Sequence, residues 1–303
     1  MSEYSKKMKR ASKILFEDRL YDFEPKSIWD YKKYTEFDKQ ITDKVATDGL
    51  KEDTKKGKEW VKIGGGARAL SKFNSENCKN IINFFTSKGD TILDPFAGRT
   101  RAIISNYLDR KYVGFELTEK YFPAESTSDR KIFNMDSGNM NNTLNTSMKF
   151  DLVFTCPPYW NMEKYSDDEN DLSTFKTYDK FLEGCNKRLE IASSYLKEDG
   201  FFIVVLMDFR KDGVFHTWHS DTIDYFHSNT DFKLYDTMIW EMSPAKRHPL
   251  YPQALLNRRM LNTHEYCLVF NRKTQPELRE FYDKKLQEDE VIQKNNNNIE
   301  RFF

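Results

Sequence analysis

The apolar run FFIVVLM, from Phe201 to Met207, restricts the possible folds of this chain more than any other stretch. An unbroken apolar run of this length indicates a strand that is buried on both faces, as in the middle of a parallel sheet. From about residue 73 onwards, short apolar runs alternate with segments of helical periodicity, which predicts helices on both faces of such a sheet. We therefore expect an α/β fold with a Rossmann-like, doubly wound and mostly parallel sheet.

The spacing of apolar residues also predicts the individual elements. Strands are expected at Thr91–Leu93, Tyr112–Phe115, Lys131–Phe133, Asp151–Phe154, Phe201–Met207, Phe232–Trp240 and His264–Phe270. Helices are expected at Asn74–Phe85, Arg101–Leu108 and Tyr178–Leu196, the last of which Gly200 should end. No helix is predicted between the last two strands, so they suit an antiparallel hairpin that closes the sheet.

Charge and composition divide the chain into three parts. Residues 1–63 are rich in charge and predict a small helical N-terminal extension, residues 64–273 form the main domain, and residues 274–303 form a polar C-terminal tail. Within the main domain, residues 243–262 form a basic insertion between the last two predicted strands.

Composition argues against some classes of protein. Lys plus Arg number 48 and Asp plus Glu number 48, so any contact with nucleic acid must come from local patches. The four cysteines lack metal-ligand spacing, and we expect no metal site. There is no signal-peptide core and no uncharged apolar run that could span a bilayer, so we expect a reduced, cytoplasmic protein without membrane contact.

Two turns at predicted strand ends carry the candidate chemistry. In the first, ILDPFAG, Asp94 ends a strand, and Gly98 lets the backbone turn closely under a ligand before the next helix begins. Glu116 ends the following strand, 22 residues after Asp94, where a nucleotide-binding sheet holds ribose hydroxyls with a carboxylate. Capping of a turn or strand end is the alternative interpretation of either carboxylate alone.

The second turn, Cys156-Pro157-Pro158-Tyr159, follows a predicted strand. Tandem prolines make a stiff turn that lacks backbone donors, so that carbonyl oxygens can point at an amine. The exocyclic amine of a base is a poor nucleophile because its lone pair is delocalised, and acceptors aimed at its hydrogens favour the geometry needed for attack. Tyr159 offers a ring face on which a base can stack.

Taken together, the strings ILDPFAGRTRAII, YVGFEL and TCPPYW resemble the signature loops of the S-adenosylmethionine-dependent DNA amino-methyltransferases, which act on adenine N6 or cytosine N4. The resemblance implies a class I methyltransferase domain over residues 64–273, with S-adenosylmethionine as cofactor. It implies that Asp94 contacts the methionine amino group and that Glu116 contacts the ribose. The cofactor-binding residues that it implies are Phe73, Asn74, Asp94, Pro95, Phe96, Gly98, Glu116 and Asp136. The catalytic residues that it implies are Cys156, Pro157, Pro158 and Tyr159.

The chain departs from the family's cofactor loops at two positions. Arg99 stands where the family often has a second glycine, and Ser75 replaces the proline of a Phe-Asn-Pro segment. Asn74 could equally be a helix cap. Asp136, which the resemblance brings to the adenine amine, could equally be a turn residue without function.

The catalytic loop departs from the family at Cys156, where Asp, Asn or Ser is usual. A thiol is a weak hydrogen-bond acceptor, so the Pro157 carbonyl is expected to be the stronger one. A residue of serine's size favours cytosine as the target, whereas the greater abundance of adenine enzymes favours adenine. The sequence therefore leaves the base open.

The basic insertion is the candidate for contact with DNA. It contains no acidic residue, and basic side chains beside a catalytic site suit phosphate contacts. A target base would have to be flipped out of the duplex, which costs roughly a few kcal/mol. The predicted DNA-binding residues are Trp160, Lys246, Arg247, Arg258 and Arg259. A solvated basic loop without a partner is the alternative.

Other functions remain open at this point. Related folds methylate RNA or the glutamine amides of proteins, and a catalytically inactive DNA-binding homologue is also compatible with Cys156 and Arg99. The sequence does not predict the oligomeric state.

Overall fold

The computed structural model of this chain describes residues 27–29, 36–37, 39–41, 73–118, 127–162, 164–242, 250–285 and 287. The predicted DNA contacts Lys246 and Arg247 lie outside the described residues, as does most of the predicted N-terminal extension.

The described residues form an eight-stranded sheet, a two-stranded hairpin and flanking helices. The strands β1 to β10 are Ile28–Trp29, Thr91–Asp94, Lys111–Glu116, Arg130–Asn134, Phe150–Thr155, Leu196–Leu206, Phe209–Lys211, Val214–His216, Lys233–Glu241 and His264–Asn271. The helices α1 to α5 are Ser75–Phe85, Arg99–Tyr107, Tyr178–Ser194, Trp218–Asn229 and Tyr251–Leu256. Short 3₁₀ helices are at Ser137–Asn142 and Leu172–Thr174, and residues 275–285 are helical.

The strand order of the large sheet is β1-β9-β10-β6-β5-β2-β3-β4. Among its described strands, β10 runs antiparallel to both neighbours, while the other pairs are parallel. The order reverses between β2 and β5, and ligands of doubly wound sheets bind at the carboxyl ends of the strands beside such a switch point. The predicted fold class is confirmed, including the antiparallel pair β9 and β10.

Helices cover both faces of the sheet because side chains along each strand alternate between two cores. From β6, Phe202 and Val204 enter one core with α3 and α4, whereas Ile203 and Val205 enter the other with α1 and α2. Full burial of each such side chain contributes about 1.5–3 kcal/mol. The unbroken apolar run that the sequence shows is therefore a strand buried on both faces.

The predicted end of α3 is wrong. The helix ends at Ser194, and Gly200 lies inside β6. A Cβ atom added to Gly200 would lie 3.1 Å from the Asp151 carbonyl oxygen, so this glycine allows the close approach of β5 instead of ending a helix.

Other elements were not predicted by apolar spacing. The hairpin β7–β8 and helix α4 follow β6, and α5 lies between β9 and β10. Ile28–Trp29 was expected in a helical region but pairs with β9 as a short parallel strand, and the Trp29 ring stacks on Trp240 at 6.0 Å. Backbone pairing at a sheet edge outweighs local propensity here.

Within the described residues, no helix is both long and apolar enough to cross a membrane. The same residues contain no cluster of three His, Cys, Asp or Glu side chains that could hold a metal ion.

Candidate active site at the carboxyl edge of the sheet

A hydrogen bond joins the two turns that the sequence singles out. Asp94 and Thr155 end the neighbouring parallel strands β2 and β5, and the Thr155 hydroxyl donates to Asp94 Oδ1 at 2.6 Å. The Asp-Pro-Phe-Ala-Gly loop and the Cys-Pro-Pro-Tyr loop therefore start side by side at the switch point of the sheet.

Asp94 is fully buried, and protein donors surround its carboxylate. Oδ1 accepts from the Phe96 backbone N–H at 3.0 Å as well as from Thr155, and Oδ2 accepts from Arg101 Nε at 2.6 Å and from the Tyr112 hydroxyl at 2.7 Å. A carboxylate offers about four acceptor sites, and these contacts use that capacity. Asp94 therefore holds the two loops together, and its expected contact with a methionine amino group stays a prediction.

Arg101 is the buried cation at this junction, in the first turn of α2. Burial acts to lower the pKa of its guanidinium, but the adjacent Asp94 carboxylate raises that pKa overall. Nη2 donates to the Phe96 carbonyl oxygen at 2.6 Å, and the guanidinium lies over the Phe73 ring at 5.0 Å. Sequence reasoning missed Arg101 because nothing in its neighbours along the chain marks it as the partner of Asp94.

The close backbone approach in the cofactor loop occurs at Gly114, which the sequence analysis did not single out. Gly98 has φ −104° and is the N-cap of α2, and a Cβ atom there would make ordinary contacts with the Arg101 head group. A Cβ atom on Gly114 would lie 2.6 Å from the Ala97 Cβ atom. Because Gly114 lacks a side chain, the loop packs against β3, where the Ala97 N–H donates to the Phe115 carbonyl oxygen at 2.8 Å.

Glu116 ends β3 at the same edge of the sheet. Burial raises the pKa of its carboxyl group to about 7, and the Thr118 backbone N–H donates to Oε1 at 2.9 Å. The side chain therefore changes charge near neutral pH and keeps acceptor capacity for further donors.

Two predicted cofactor residues act as helix caps. The Asn74 side chain accepts from the Asn77 N–H at 2.9 Å at the start of α1. The Asp136 carboxylate caps the first 3₁₀ helix and forms a two-pronged ion pair with Arg188, at 2.7 and 2.9 Å. The capping alternative is thus observed for Asn74, while any ligand contact by Asp136 would share its carboxylate with Arg188.

In the catalytic loop, Cys156 and Pro158 are half-buried and Pro157 is buried. Tyr159 is 9% exposed, its ring packs edge-on against Trp218 at 5.4 Å, and its hydroxyl donates to Glu265 Oε1 at 3.0 Å. Burial raises the pKa of both Tyr159 and Glu265. The Tyr159 ring is therefore nearly buried beside Trp218, and the stacking of a base on it stays a prediction.

Trp160, a predicted DNA contact, is enclosed by other side chains of the protein. Trp160 is buried, and Nε1 donates to the Phe175 carbonyl oxygen at 2.7 Å. Its ring lies among those of Tyr178, Phe181 and His216. A ring enclosed in this way anchors the end of the catalytic loop.

The rim of the site beyond β6 carries a further polar cluster. His219 Nδ1 lies 2.7 Å from Asp208 Oδ1, and the imidazole stacks on the Tyr266 ring at 3.8 Å. Asn262, at the end of the basic insertion, donates its side-chain N–H to the Asp208 carbonyl oxygen. The insertion is therefore attached to the same edge of the sheet as the two loops.

The described part of the insertion is apolar as well as basic. Arg258 is exposed and Arg259 half-buried, which leaves both close to the surface. Leu256 is 83% exposed and Met260 is 92% exposed beside them. Exposed apolar side chains among cations suit a partner that offers phosphates and stacked bases.

Comparison with known families agrees with this geometry. A family model described as DNA methylase matches residues 3–126 and 150–303, which is most of the chain. A comparison with curated proteins gives no match.

The comparison with solved structures gives matches of low sequence identity and with TM-scores below 0.5, three of which follow. An rRNA methylase from Streptococcus thermophilus is 9% identical with a TM-score of 0.42, over 68% of this chain and 100% of its own. TrmN from Thermus thermophilus is 12% identical with a TM-score of 0.44, over 68% of this chain and 50% of its own. A 1,6-didemethyltoxoflavin-N1-methyltransferase from Burkholderia thailandensis, solved with S-adenosylhomocysteine, is 14% identical with a TM-score of 0.40, over 72% of this chain and 87% of its own.

Proposed function

The chain belongs to the DNA methylase family and is an S-adenosylmethionine-dependent methyltransferase, and from this premise we propose that it methylates the exocyclic amino nitrogen of adenine or cytosine in DNA. The observation that carries the proposal is the 2.6 Å hydrogen bond between Thr155 and Asp94, which joins the cofactor loop to the catalytic loop. A DNA substrate also agrees with the cytoplasmic location that the sequence predicts.

The residues at this edge fit the cofactor. S-adenosylmethionine supplies a methyl group on a sulfonium, whose sulfur becomes a neutral thioether after transfer. Glu116 accepts hydrogen bonds from the ribose hydroxyls. Its carboxylate has free acceptor capacity because the Thr118 backbone N–H is its one hydrogen-bond donor among the described residues. Asp94 holds the cofactor loop in place, and we propose that it also contacts the methionine amino group, as the sequence predicts. The other cofactor-binding residues that we propose are Phe73, Asn74, Pro95, Phe96, Gly98 and Asp136.

The catalytic loop positions the amine. The Pro157 carbonyl accepts one amine hydrogen, while Cys156 contributes a weak acceptor and Pro158 keeps the turn rigid. Acceptors in this arrangement direct the nitrogen lone pair away from the ring and towards the methyl group. With S-adenosylmethionine bound, the amine held by the Pro157 carbonyl would take up the methyl group, the electron pair of the broken S–C bond would stay on sulfur, and one amine proton would leave to solvent. This is positioning chemistry without a covalent enzyme intermediate.

The basic insertion is the segment that we propose to contact DNA. Arg258 and Arg259 lie on the segment that Asn262 attaches to the site rim, and Lys246 and Arg247 belong to the same insertion. Flipping the target base costs roughly a few kcal/mol, and apolar side chains that enter a DNA groove can insert between base steps and unstack them. Met260, exposed beside the arginines, is suited to fill the vacated space.

The direct test is incubation with labelled S-adenosylmethionine and, separately, unmodified duplex DNA, RNA and a glutamine-containing peptide, followed by mass spectrometry of the hydrolysed products. We expect N6-methyladenine or N4-methylcytosine in the DNA and no methylation of the RNA or the peptide. Tyr159→Ala should lower the rate about 10- to 100-fold, because a base contact is worth about 1–3 kcal/mol.

Tyr107→Ala, at an exposed tyrosine of α2, is the matched control and should keep full activity. Methylation of RNA or peptide instead of DNA would contradict the proposed substrate. DNA binding without cofactor binding would favour an inactive homologue.

A further inference from the structure

The hairpin β7–β8 follows directly after β6, at the carboxyl edge of the large sheet. Its cross-strand pairs are Phe209–His216, Arg210–Phe215 and Lys211–Val214. The two turn residues, Asp212 and Gly213, both have positive φ, at 49° and 84°. An Asp-Gly turn of this kind matches the natural twist of two paired strands, so the segment is a regular two-stranded ribbon and not an irregular loop.

One face of the hairpin is packed onto the catalytic loop. Side chains alternate along each strand, so the paired residues Phe209 and His216 share a face. The Phe209 ring, which is buried, lies 6.1 Å from that of Trp160, and the His216 ring lies 4.3 Å from that of Tyr178. Because Trp160 directly follows Tyr159 in the chain, these contacts fix the hairpin beside the candidate active site.

The other side chains of the hairpin combine apolar surface with positive charge. Phe215 is 44% exposed and Val214 is 57% exposed. The Arg210 guanidinium, itself exposed, lies over the Phe215 ring at 5.3 Å, and Lys211 lies beside the turn. Two cations against the single acid Asp212 leave the ribbon with an excess of positive charge. This combination suits a partner that offers phosphates and flat apolar surfaces.

The hairpin and the basic insertion lie at the same edge of the sheet. Asn262, at the end of the insertion, donates its side-chain N–H to the carbonyl oxygen of Asp208, the residue that precedes β7. A nucleic acid held by Arg258 and Arg259 at the rim of the site would therefore also meet the hairpin.

We propose that the hairpin β7–β8 enters the major groove of duplex DNA beside the flipped base, with Arg210 on a phosphate and Phe215 against the base edges. A major groove is about 12 Å wide and admits a two-stranded ribbon, and a phenylalanine side chain there contacts the methyl group of thymine. The inference rests on the proposed function, because it assumes DNA as the substrate. It gives the protein a second DNA-contacting element, which contributes to the choice of the sequence around the target base.

Fluorescence anisotropy with a labelled duplex at several salt concentrations tests the two contacts separately. Arg210→Ala should lower the slope of log Kd against log salt by about 1, because one phosphate contact is lost. Phe215→Ala should raise Kd about 10-fold and leave the slope unchanged, because the lost contact is apolar and releases no counterion. Both variants should raise the KM for DNA in methylation assays while kcat and the Kd for S-adenosylhomocysteine stay as in the wild type.

Conservative variants and a distant pair of residues provide the controls. Arg210→Lys should keep the slope, and Phe215→Leu should keep most of the affinity. Met148→Ala combined with Lys149→Ala removes an exposed apolar side chain and a cation just before β5, at the amino-terminal edge of the sheet, and should change neither Kd nor slope.

Two results would overturn the inference. The first is a Kd and a slope for Arg210→Ala and Phe215→Ala that match those of the wild type. The second is weaker binding of RNA or peptide by these variants with unchanged affinity for the duplex. A wild type that neither binds nor methylates DNA would instead overturn the proposed function.

Discussion

At the scale of single residues, the site depends on the donors to one buried carboxylate. Asp94 is stable as an anion inside the protein because four donors compensate for its lost hydration. Hydrogen bonds to charged groups contribute about 1.5–3 kcal/mol each, more than neutral ones. Removal of any one donor therefore affects both the stability of the fold and the relative position of the two loops.

Thr155→Val tests this dependence with little change in side-chain shape. It removes the donor that joins the loops, and we expect a loss of about 1–3 kcal/mol in the free energy of unfolding, measured by denaturant titration. The methyl-transfer rate should fall on the order of 10-fold, because the amine and the methyl donor lose their alignment.

Thr222→Val is the control, since the Thr222 hydroxyl is buried in α4 without a partner among the described residues. Its loss should leave stability unchanged or raised. Equal effects of the two substitutions would show that the Thr155–Asp94 bond does not hold the site.

Glu116 gives the site a pH dependence of definite sign. Burial raises its pKa to about 7, and ribose donors favour the carboxylate, so cofactor binding lowers that pKa and releases a proton. Affinity for S-adenosylhomocysteine should therefore be constant well above pH 7 and fall up to about 10-fold as the pH drops from about 8 to about 6. Calorimetry across this range measures the effect.

Glu116→Gln keeps the size of the side chain and removes its titration, so the affinity of this variant should be weaker and nearly independent of pH. A wild-type affinity that rises on acidification would contradict the ribose contact.

At the scale of elements, the catalytic loop is fixed at its end, whereas the insertion is left exposed. The Tyr159 hydroxyl ties the loop to β10 and the Trp160 indole ties it to the segment before α3. Between β9 and β10, α5 has only Ala254 buried, and its other residues face outwards. A fixed loop beside an exposed surface suits the proposed chemistry on a flipped base.

The insertion should account for much of the salt dependence of DNA binding. Arg258→Ala combined with Arg259→Ala removes two phosphate contacts, which should lower the slope of log Kd against log salt by about 2. Fluorescence anisotropy with a labelled duplex at several salt concentrations measures the slope.

Lys88→Ala combined with Lys111→Ala removes the same charge from the amino-terminal edge of the sheet, where β2 and β3 begin, and should leave the slope unchanged. Identical slopes for both double variants would mean that DNA does not contact the insertion.

At the scale of the whole molecule, aromatic contacts connect the sheet edge to the cofactor loop. Trp29 stacks on Trp240, Trp240 packs on Phe73 at 5.4 Å, and Phe73 lies under Arg101. The described strand β1 is therefore part of the same packed body as the candidate site.

Trp29→Ala tests this connection. Because the indole is buried against Trp240, we expect a loss of about 3–5 kcal/mol in the free energy of unfolding, measured by chemical denaturation. Ile28→Ala, at the exposed neighbour in the same strand, should change stability by less than about 0.5 kcal/mol. Similar small effects of both substitutions would mean that β1 adds nothing to the fold.

The sequence by itself determined the class of the fold and the positions of the two candidate loops at strand ends. The apolar run at β6 and the alternation around it report burial, and burial on both faces is compatible with few architectures. Asp94, Glu116 and the tandem prolines lie at strand ends as predicted, because turn residues and apolar runs are local signals.

Only the tertiary structure decided which side chains touch. Thr155 reaches Asp94 across 61 residues of chain, and Tyr159 reaches Glu265 across 106. Trp160 is likewise buried by residues from other parts of the chain, such as Phe175 and His216. Arg101 is near Asp94 in sequence, but the two side chains meet only because α2 packs against the end of β2. Apolar periodicity tells which face of an element is buried, but the identity of its partner depends on how the strands are ordered, and that order forms when the whole sheet packs.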